Sequence, residues 1–360
     1  MNDQEIFTTE EQNEDTKRRE ELINLVASGE AILIVGAGSS KRVGYPDWPE
    51  LLEKLEDLAS KYNGFKRDEV KRKDEPLEYA EDIKSHICNK RGNLGIYHDL
   101  LYELFQSKSP AFDDLHKILV SLPFRGILTT NYDTVLKEAL SQKKRDAEGK
   151  EEKIPLIDEN PLVIGQDPPR LIHEFLLARN NDPQIPQRIA HLHGVYRNPD
   201  RIILSSNDYI KAYGLRVSQG DHHQGNEDRW TLHRKLLWAV LATRRVVFVG
   251  FSMEDPYFNE MLETVSTDLW GWDKSIHFAV MSIAPESAEG SKDKAAILKS
   301  EYGVDTVFYK DLDNLHQGLE DIVTEIAKSC NVEIQPTTDD DENWLERVNQ
   351  RMERRMGDEN

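Results

Sequence analysis

Cysteines and basic residues are both scarce in this sequence. Its 360 residues include two cysteines, Cys88 and Cys330, which lie far apart, so a zinc site of four cysteines is excluded and a disulfide framework is not expected. Lys and Arg number 46 against 66 Asp and Glu, which gives a formal charge of −20. Because nucleic acids and anionic membranes are bound mainly through cationic side chains, we expect direct binding to neither.

Long hydrophobic runs are absent as well. The longest apolar stretches, 31–35 and 246–249, have the length of strands and fall far short of the roughly 18 residues of a membrane span. Residues 1–5 are acidic and polar, which is not typical of a secretory or transit peptide. These features predict a cytosolic globular protein without a membrane segment.

Short apolar runs alternate with helical periodicity along the chain. The strand candidates are 31–35, 126–130, 188–195, 201–204, 245–249, 276–281 and 305–309. Their alternation with helices predicts an α/β fold with a doubly wound, mostly parallel, Rossmann-like sheet. In such a sheet the ligand binds at the carboxyl ends of the strands, near the point where the strand order reverses.

The domain organisation is predicted from changes in composition. Residues 1–16 show no periodicity and predict a flexible lead-in, whereas 17–330 are assigned to one main α/β domain. Helical spacing of leucines over about 48–124 predicts a mainly helical insertion. Residues 331–360 combine an acidic linker with helical spacing that begins at Trp344, which predicts a C-terminal helix suited to contact with a partner.

A glycine turn follows the first apolar run. Gly36, Ala37, Gly38 and Ser39 form the first half of a dinucleotide-binding loop, in which glycines let the backbone approach a pyrophosphate. Lys41 stands where the third glycine of that motif would be, so an ordinary tight turn fits these residues equally well. No GxxxxGK[ST] string occurs, which excludes a P-loop nucleotide site.

Polar residues also follow later runs. Asn131 and Asp133 come after the second run, where such residues commonly cap the next helix. His191 and His193 precede Gly194, but two histidines without a third ligand make a poor metal site. The segment 250–256 contains an Asp-Pro pair typical of a helix start.

The order of these motifs resembles the sirtuin-like NAD-binding family, in particular its zinc-less bacterial branch. The matching strings are GAGSS at 36–40, GYPDW at 44–48, TTNYD at 129–133, HG at 193–194, LSSNDY at 204–209 and GFS at 250–252. The resemblance extends over about 30–310 and implies the same fold. Two features depart from protein-deacylating sirtuins: the paired Cys-x-x-Cys motifs are missing, and Pro49 stands where those enzymes usually have arginine.

The resemblance implies a site and an activity. It implies NAD⁺ as substrate, no metal, and hydrolysis to ADP-ribose and nicotinamide by a regulated effector of bacterial antiphage defence. In this assignment His193, or alternatively His191, is the base and Asn131 holds the ribose and the water. The other implied contacts are Gly36, Ala37, Gly38 and Ser39 with the pyrophosphate, Asp133 with the ribose or nicotinamide, Gly250, Phe251 and Ser252 with the adenosine side, and Asp47 and Trp48 over the nicotinamide. Apart from the resemblance, Lys41 or Arg42 are the nearby cations that could lie beside the phosphates of an anionic dinucleotide. Tyr309, near the end of the last predicted strand, is a candidate to stack on the adenine, although packing in the core or at the rim fits it equally well.

Two other activities and several partners are compatible with the same motifs. One is NAD-dependent protein deacylation or ADP-ribosyl transfer, and the other is binding of NAD⁺ or ADP-ribose without catalysis. Because uncontrolled NAD⁺ cleavage would kill the cell, we expect regulation by oligomerisation or by a partner. By resemblance that partner is a second copy of the chain, a HerA-type ring ATPase or a short Argonaute.

Overall fold

Seven parallel strands form a single sheet in this computed structural model, which describes residues 6–61, 64–88, 94–108, 110–147, 157–179, 187–214, 230–269, 275–311 and 316–332. The strands are β1 (Ile32–Val35), β2 (Gly126–Thr129), β3 (Ile157–Val163), β4 (Gln187–His191), β5 (Val246–Val249), β6 (His277–Ile283) and β7 (Val304–Lys310). Their order is β3-β4-β2-β1-β5-β6-β7. The predicted doubly wound parallel sheet is therefore confirmed, and its order reverses between β1 and β5.

Helices cover both faces of this sheet. They are α1 (Thr9–Ala27), α2 (Ala37–Lys41), α3 (Trp48–Lys61), α4 (Glu69–Asp74), α5 (Pro76–Cys88), α6 (Leu94–Phe105), α7 (Asp114–Leu119), α8 (Val135–Ala147), α9 (Pro169–Leu177), α10 (Ser206–Tyr213), α11 (Leu232–Thr243), α12 (Pro256–Asp268), α13 (Ala288–Tyr302) and α14 (Gln317–Ser329). Leu33 and Val35 pack with α1, α7, α8 and α14, while Ile32 and Ile34 pack with α9 to α13. Because alternate side chains of β1 enter opposite cores, the whole strand is apolar.

The chain between β1 and β2 forms the short α2 and then α3 to α7. A separate apolar core holds most of this segment together, with Leu51 and Leu55 of α3, Ile83 of α5 and Leu101 of α6 all buried in it. These helices pack beside the carboxyl ends of the central strands, so the helical insertion is positioned to form one wall of a site there.

The prediction of a flexible lead-in over 1–16 is wrong from Thr9 onward, because α1 begins there. Thr8 accepts a hydrogen bond from the Glu11 amide, and the Glu11 carboxylate accepts one from the Thr8 amide, a reciprocal cap that starts the helix. The polar first half of α1 is also tied to the domain, since Arg19 forms a 3.1 Å ion pair with Glu325 of α14.

Two strand predictions need correction. Residues 201–204 do not form a strand: Pro199–Arg201 make a 3-10 turn, and the next residues are buried without regular structure. Conversely, β3 was not predicted, because Pro161 interrupts its pattern. The strand lies at the sheet edge and its register with β4 shifts between Asp158 and Leu162, which is where a sheet tolerates proline. The predicted C-terminal helix lies outside the described residues.

Candidate functional site

A cavity of about 560 Å³ opens at the carboxyl ends of the central strands. The residues proposed from sequence that line it are Gly36, Ala37, Gly38, Lys41, Asp47, Trp48, Asn131, Asp133, His193, Gly250, Phe251, Ser252 and Tyr309. The insertion supplies an apolar wall that includes Leu51, Leu77 and Phe105. The cavity lies where the strand order reverses, which is the expected ligand position in an open parallel sheet.

The floor of the cavity is made by two glycine turns in direct backbone contact. The Gly38 amide donates to the Gly250 carbonyl at 2.9 Å, which joins the turn after β1 to the turn after β5. A Cβ atom at Gly36 would lie 2.4 Å from the Gly250 carbonyl oxygen, and Gly250 has φ of 62°, a conformation that favours glycine. Both glycines are therefore required by the approach of the two turns.

Replacing Gly36 by alanine should lower the free energy of unfolding by about 1–3 kcal/mol, because backbone atoms must move to admit the methyl group. Gly290→Ala is the matched control: a Cβ there meets nothing within 4 Å, and alanine is preferred over glycine within a helix. Urea denaturation of both variants measures the difference. Equal stability of Gly36→Ala and the parent protein would contradict the close approach.

Asn131 lies in the turn after β2 with its side-chain amide held in one orientation. Its Nδ2 donates to the Gly36 carbonyl at 3.1 Å and contacts Ser40 Oγ at 3.0 Å. Because a carbonyl can only accept, the nitrogen must face Gly36 and the oxygen must face the other way. Asn131 lines the cavity, and its Oδ1 is buried and has no hydrogen-bond partner among the described residues, which makes this oxygen a candidate acceptor for a ligand.

The two histidines of the HG segment have different surroundings. His191 does not line the cavity; its Nδ1 donates to the Asn131 carbonyl at 3.0 Å and supports that turn from behind. His193 lines the cavity, and its Nε2 lies 2.9 Å from Tyr213 Oη. Burial lowers the pKa of His193 to about 3, so its imidazole is neutral at pH 7.

Asp133 both caps a helix and lines the cavity, which are the two positions considered for it from sequence. It accepts a hydrogen bond from the Val135 amide at 3.0 Å at the start of α8, and it also lines the cavity. Burial raises the pKa of Asp133, although hydrogen bonds from the Val135 amide and the Ser40 hydroxyl act in the opposite direction.

The mouth of the cavity carries a group of paired charges. Lys41 Nζ lies 2.6 Å from Asp47 and 3.3 Å from Glu50. Asp47 and Glu50 also exchange hydrogen bonds with each other's amides at the start of α3. Lys41 is thus held at the rim by two carboxylates, next to Trp48.

Arg42 and Ser39 do not line the cavity, and a place for Arg42 beside phosphates is therefore wrong. The Arg42 side chain is fully buried and turns away, with Nε 2.7 Å from Asp113 and an ion pair to Glu320. Ser39 is buried too, and its hydroxyl donates to the Gly36 carbonyl at 2.8 Å, which stabilises the turn.

Several lining residues were missed from sequence. They are Tyr209, Asp255, Met281, Ser282 and His316. Asp255 was interpreted only as the cap of α12, a role it does have, because it accepts hydrogen bonds from the Tyr257 and Phe258 amides. Tyr309 contacts His316 through a 2.8 Å hydrogen bond at the far end of the cavity. Tyr209 belongs to the LSSNDY string, which was the one available signal.

The described part of the chain offers neither a metal site nor a membrane-spanning helix. No cluster of three or more His, Cys, Asp or Glu side chains there is arranged to hold a metal ion. None of the helices described combines the length and apolar character needed to cross a membrane.

A doubly wound parallel sheet with a glycine-floored cavity at its switch point defines the class of Rossmann-like α/β proteins. Within that class, the family model for the SIR2-like domain matches residues 125–307. The chain belongs to the SIR2-like family, and the resemblance identified from the motifs is confirmed.

Curated relatives extend this result. The chain is 23% identical over 240 residues to NAD(+) hydrolase ThsA of Enterococcus faecium, covering 67% of this chain and 41% of the relative. It is 24% identical over 236 residues to NAD(+) hydrolase ThsA of Bacillus cereus, covering 65% and 40%. Defense-associated sirtuin 2 of Bacillus subtilis is 23% identical over 244 residues, covering 66% and 19%. The chain thus spans about two fifths, or less, of the length of these relatives.

Proposed function

We propose that this protein is a NAD⁺ hydrolase that cleaves the bond between nicotinamide and ribose. The observation that carries the proposal is a pair of side chains that line one cavity above two glycine turns: Asn131, whose Oδ1 has no partner among the described residues, and the neutral imidazole of His193. The names of the ThsA relatives support the same activity.

Hydrolysis of the bond between nicotinamide and ribose requires few catalytic groups. Nicotinamide leaves as a neutral molecule with the electron pair of the broken bond, through an oxocarbenium-like transition state, so no proton need be given to it. The site must orient the ribose, place a water on the opposite face and accept the proton that the water loses. Water and NAD⁺ then become ADP-ribose, nicotinamide and one proton.

Each requirement has a candidate residue in the cavity. Asn131 Oδ1 accepts a hydrogen bond from a ribose hydroxyl or from the water, and His193 accepts the proton. Asp133 contacts the ribose or nicotinamide side. The turns at 36–38 and 250–252 bring backbone close to the pyrophosphate and adenosine, with Ser252 as a polar contact.

We further propose that the enzyme is a regulated, cytosolic effector of antiphage defence. The name of the Bacillus subtilis relative supports a defence role. Self-association or a partner, such as a HerA-type ring ATPase, would control the activity.

Incubation of purified protein with NAD⁺ tests the activity, with products quantified by chromatography across a range of protein concentrations. We expect nicotinamide and ADP-ribose in equal amounts, with or without an acetyl-lysine peptide. Release that requires the peptide would indicate a deacylase instead. Binding of NAD⁺ without release at every concentration would indicate a non-catalytic subunit, and either result would overturn the proposal.

A further inference from the structure

Three side chains from different parts of the fold form a hydrogen-bonded chain beside the cavity. Tyr209 of α10 donates its hydroxyl hydrogen to Asp255 Oδ2 at 2.7 Å. The same hydroxyl oxygen lies 3.5 Å from His193 Nδ1, and the two rings meet edge to face with centroids 5.2 Å apart. Tyr209, Asp255 and His193 all line the cavity.

The donor and acceptor roles in this hydrogen-bonded group can be assigned. Asp255 Oδ1 accepts two backbone hydrogen bonds at 3.0 Å, from the Tyr257 and Phe258 amides, so the carboxylate acts as an acceptor on both oxygens. Burial raises the pKa of Tyr209 well above its ordinary value, so the phenol keeps its hydrogen and gives it to Asp255. Tyr209 Oη therefore presents only lone pairs to His193.

The hydrogen bond at the other ring nitrogen of His193, Nε2, is consistent with this direction. Tyr213 is fully buried, and His193 Nε2, at 2.9 Å, is the only side-chain partner that the described residues offer its hydroxyl. Donation to Nε2 avoids a buried, unpaired O–H group. Nε2 then carries the lone pair of the neutral ring and Nδ1 carries the hydrogen, directed at Tyr209.

We propose that Asp255, acting through Tyr209, stabilises the imidazolium that forms when His193 takes the proton of the attacking water. The proton binds at Nε2 once the Tyr213 hydroxyl has turned its hydrogen away from the ring, so that both ring nitrogens then carry hydrogen and each faces a phenol oxygen. The Nδ1 hydrogen is donated to Tyr209, whose own hydrogen is donated to a carboxylate, so the new positive charge is offset by Asp255. Such hydrogen bonds are often long in a ligand-free enzyme and shorten when charge develops.

This role compensates for the burial of His193. A buried imidazole resists taking a proton, because desolvation disfavours its charged form. A carboxylate linked to the ring by one hydroxyl restores part of that basicity without placing a charge against the neutral ring. Tyr209 and Asp255 are thus positioning residues for His193. The inference rests on the proposed hydrolase activity.

Kinetics of three variants test the role. Tyr209→Phe keeps the ring and removes the hydroxyl, while Asp255→Asn keeps the helix cap, since asparagine caps as well as aspartate. We expect each to lower kcat by about 10- to 100-fold with KM for NAD⁺ changed less than about threefold. The double variant should lose no more than the worse single variant. The proposal would be overturned if the two losses of kcat multiplied in the double variant, or if the variants raised KM and left kcat unchanged.

Two control variants make the same kinds of substitution, Tyr→Phe and Asp→Asn, away from the cavity. Tyr97→Phe removes a buried phenol hydroxyl from the insertion, and Asp68→Asn changes the cap of α4; neither residue lines the cavity. Both should keep kcat. Thermal denaturation checks that all variants are folded. If Asp255→Asn is unfolded, the kinetics of Tyr209→Phe alone test the proposal.

The tautomer of His193 gives a readout that needs no turnover. In protein with ¹⁵N-labelled histidine, the His193 signals are those absent from His193→Gln, and we expect hydrogen on Nδ1. In Asp255→Asn the new amide donates to Tyr209, whose hydrogen then turns to Nδ1, so the ring hydrogen should move to Nε2. Hydrogen on Nε2 in the parent protein, or an unchanged tautomer in the variant, would contradict the proposed directions of the hydrogen bonds. A protein without NAD⁺ turnover but with the expected tautomers would overturn the proposed function and the catalytic use of Asp255, while the hydrogen-bond directions at His193 would stand.

Discussion

On the proposed function, replacing Asn131 by alanine should lower the rate of NAD⁺ hydrolysis by about 100-fold or more. The substitution removes a buried acceptor of a cavity-lining residue that has no partner among the described residues, and it also removes one of the two side-chain hydrogen bonds to the Gly36 carbonyl, the other of which comes from Ser39. Loss of a single preorganised polar group in an active site typically costs a factor of about 10²–10³. Chromatographic measurement of nicotinamide release gives the rate.

His193→Ala should cause a loss of similar size, because a general base contributes a factor of about 10²–10⁴. Asn198→Ala is a suitable control, since Asn198 is exposed and its side chain bonds only to Gln166 in the described structure. Thermal denaturation confirms that each variant is folded. Rates within tenfold of the parent protein for both Asn131→Ala and His193→Ala would refute the assigned site.

Arg42→Ala should destabilise the protein by about 3–5 kcal/mol, the usual cost of removing one partner from a buried ion pair. Arg42 Nε bonds to Asp113 at 2.7 Å, NH1 donates to the His316 carbonyl at 2.9 Å, and Glu320 completes the group. The substitution removes the cation shared by Asp113, which keeps its contact with His116, and the partly exposed Glu320. Urea denaturation at pH 7 measures the change.

The effect of Arg42→Ala should also depend on pH. Burial opposes ionisation of Asp113, but the charges of His116 and Arg42 outweigh it and hold the pKa of Asp113 well below its ordinary value. A lowered pKa stabilises the fold above the unfolded pKa of about 4 and loses this contribution as the pH falls below it. The difference between parent and variant should therefore shrink below about pH 4. Lys17→Ala, which removes an exposed 4.0 Å pair with Glu21, should have no measurable effect at any pH.

The central strands and their polar ends could be predicted because their signals are local. A strand buried on both faces must be apolar throughout, as β1 is, and the turn after it must contain glycine where another backbone approaches. The order of six such motifs along the chain then sufficed to identify the family. The start of α1 was missed although its signal was local as well, in the Thr8 and Glu11 cap.

The remaining features depend on residues that are distant in sequence. A cation next to a glycine turn suggests a phosphate site, yet Arg42 is drawn into the interior by partners 71 and 278 residues away. Asp255 was correctly interpreted as a cap from its own neighbours, but its second oxygen bonds to Tyr209, 46 residues earlier. No periodicity or spacing encodes such pairs, because they arise only when the strands are in register.

The contact between the turns at Gly36 and Gly250 has a consequence for the order in which a nascent chain matures. These glycines are separated by more than half of the sequence, and β1 lies between β2 and β5 in the sheet. While the ribosome has delivered only the first half, β1 has one open edge and the floor of the cavity does not exist. Translation must pass β5 before the two turns meet, so on the proposed function a polypeptide still far from complete has no means of consuming the NAD⁺ of the cell that makes it.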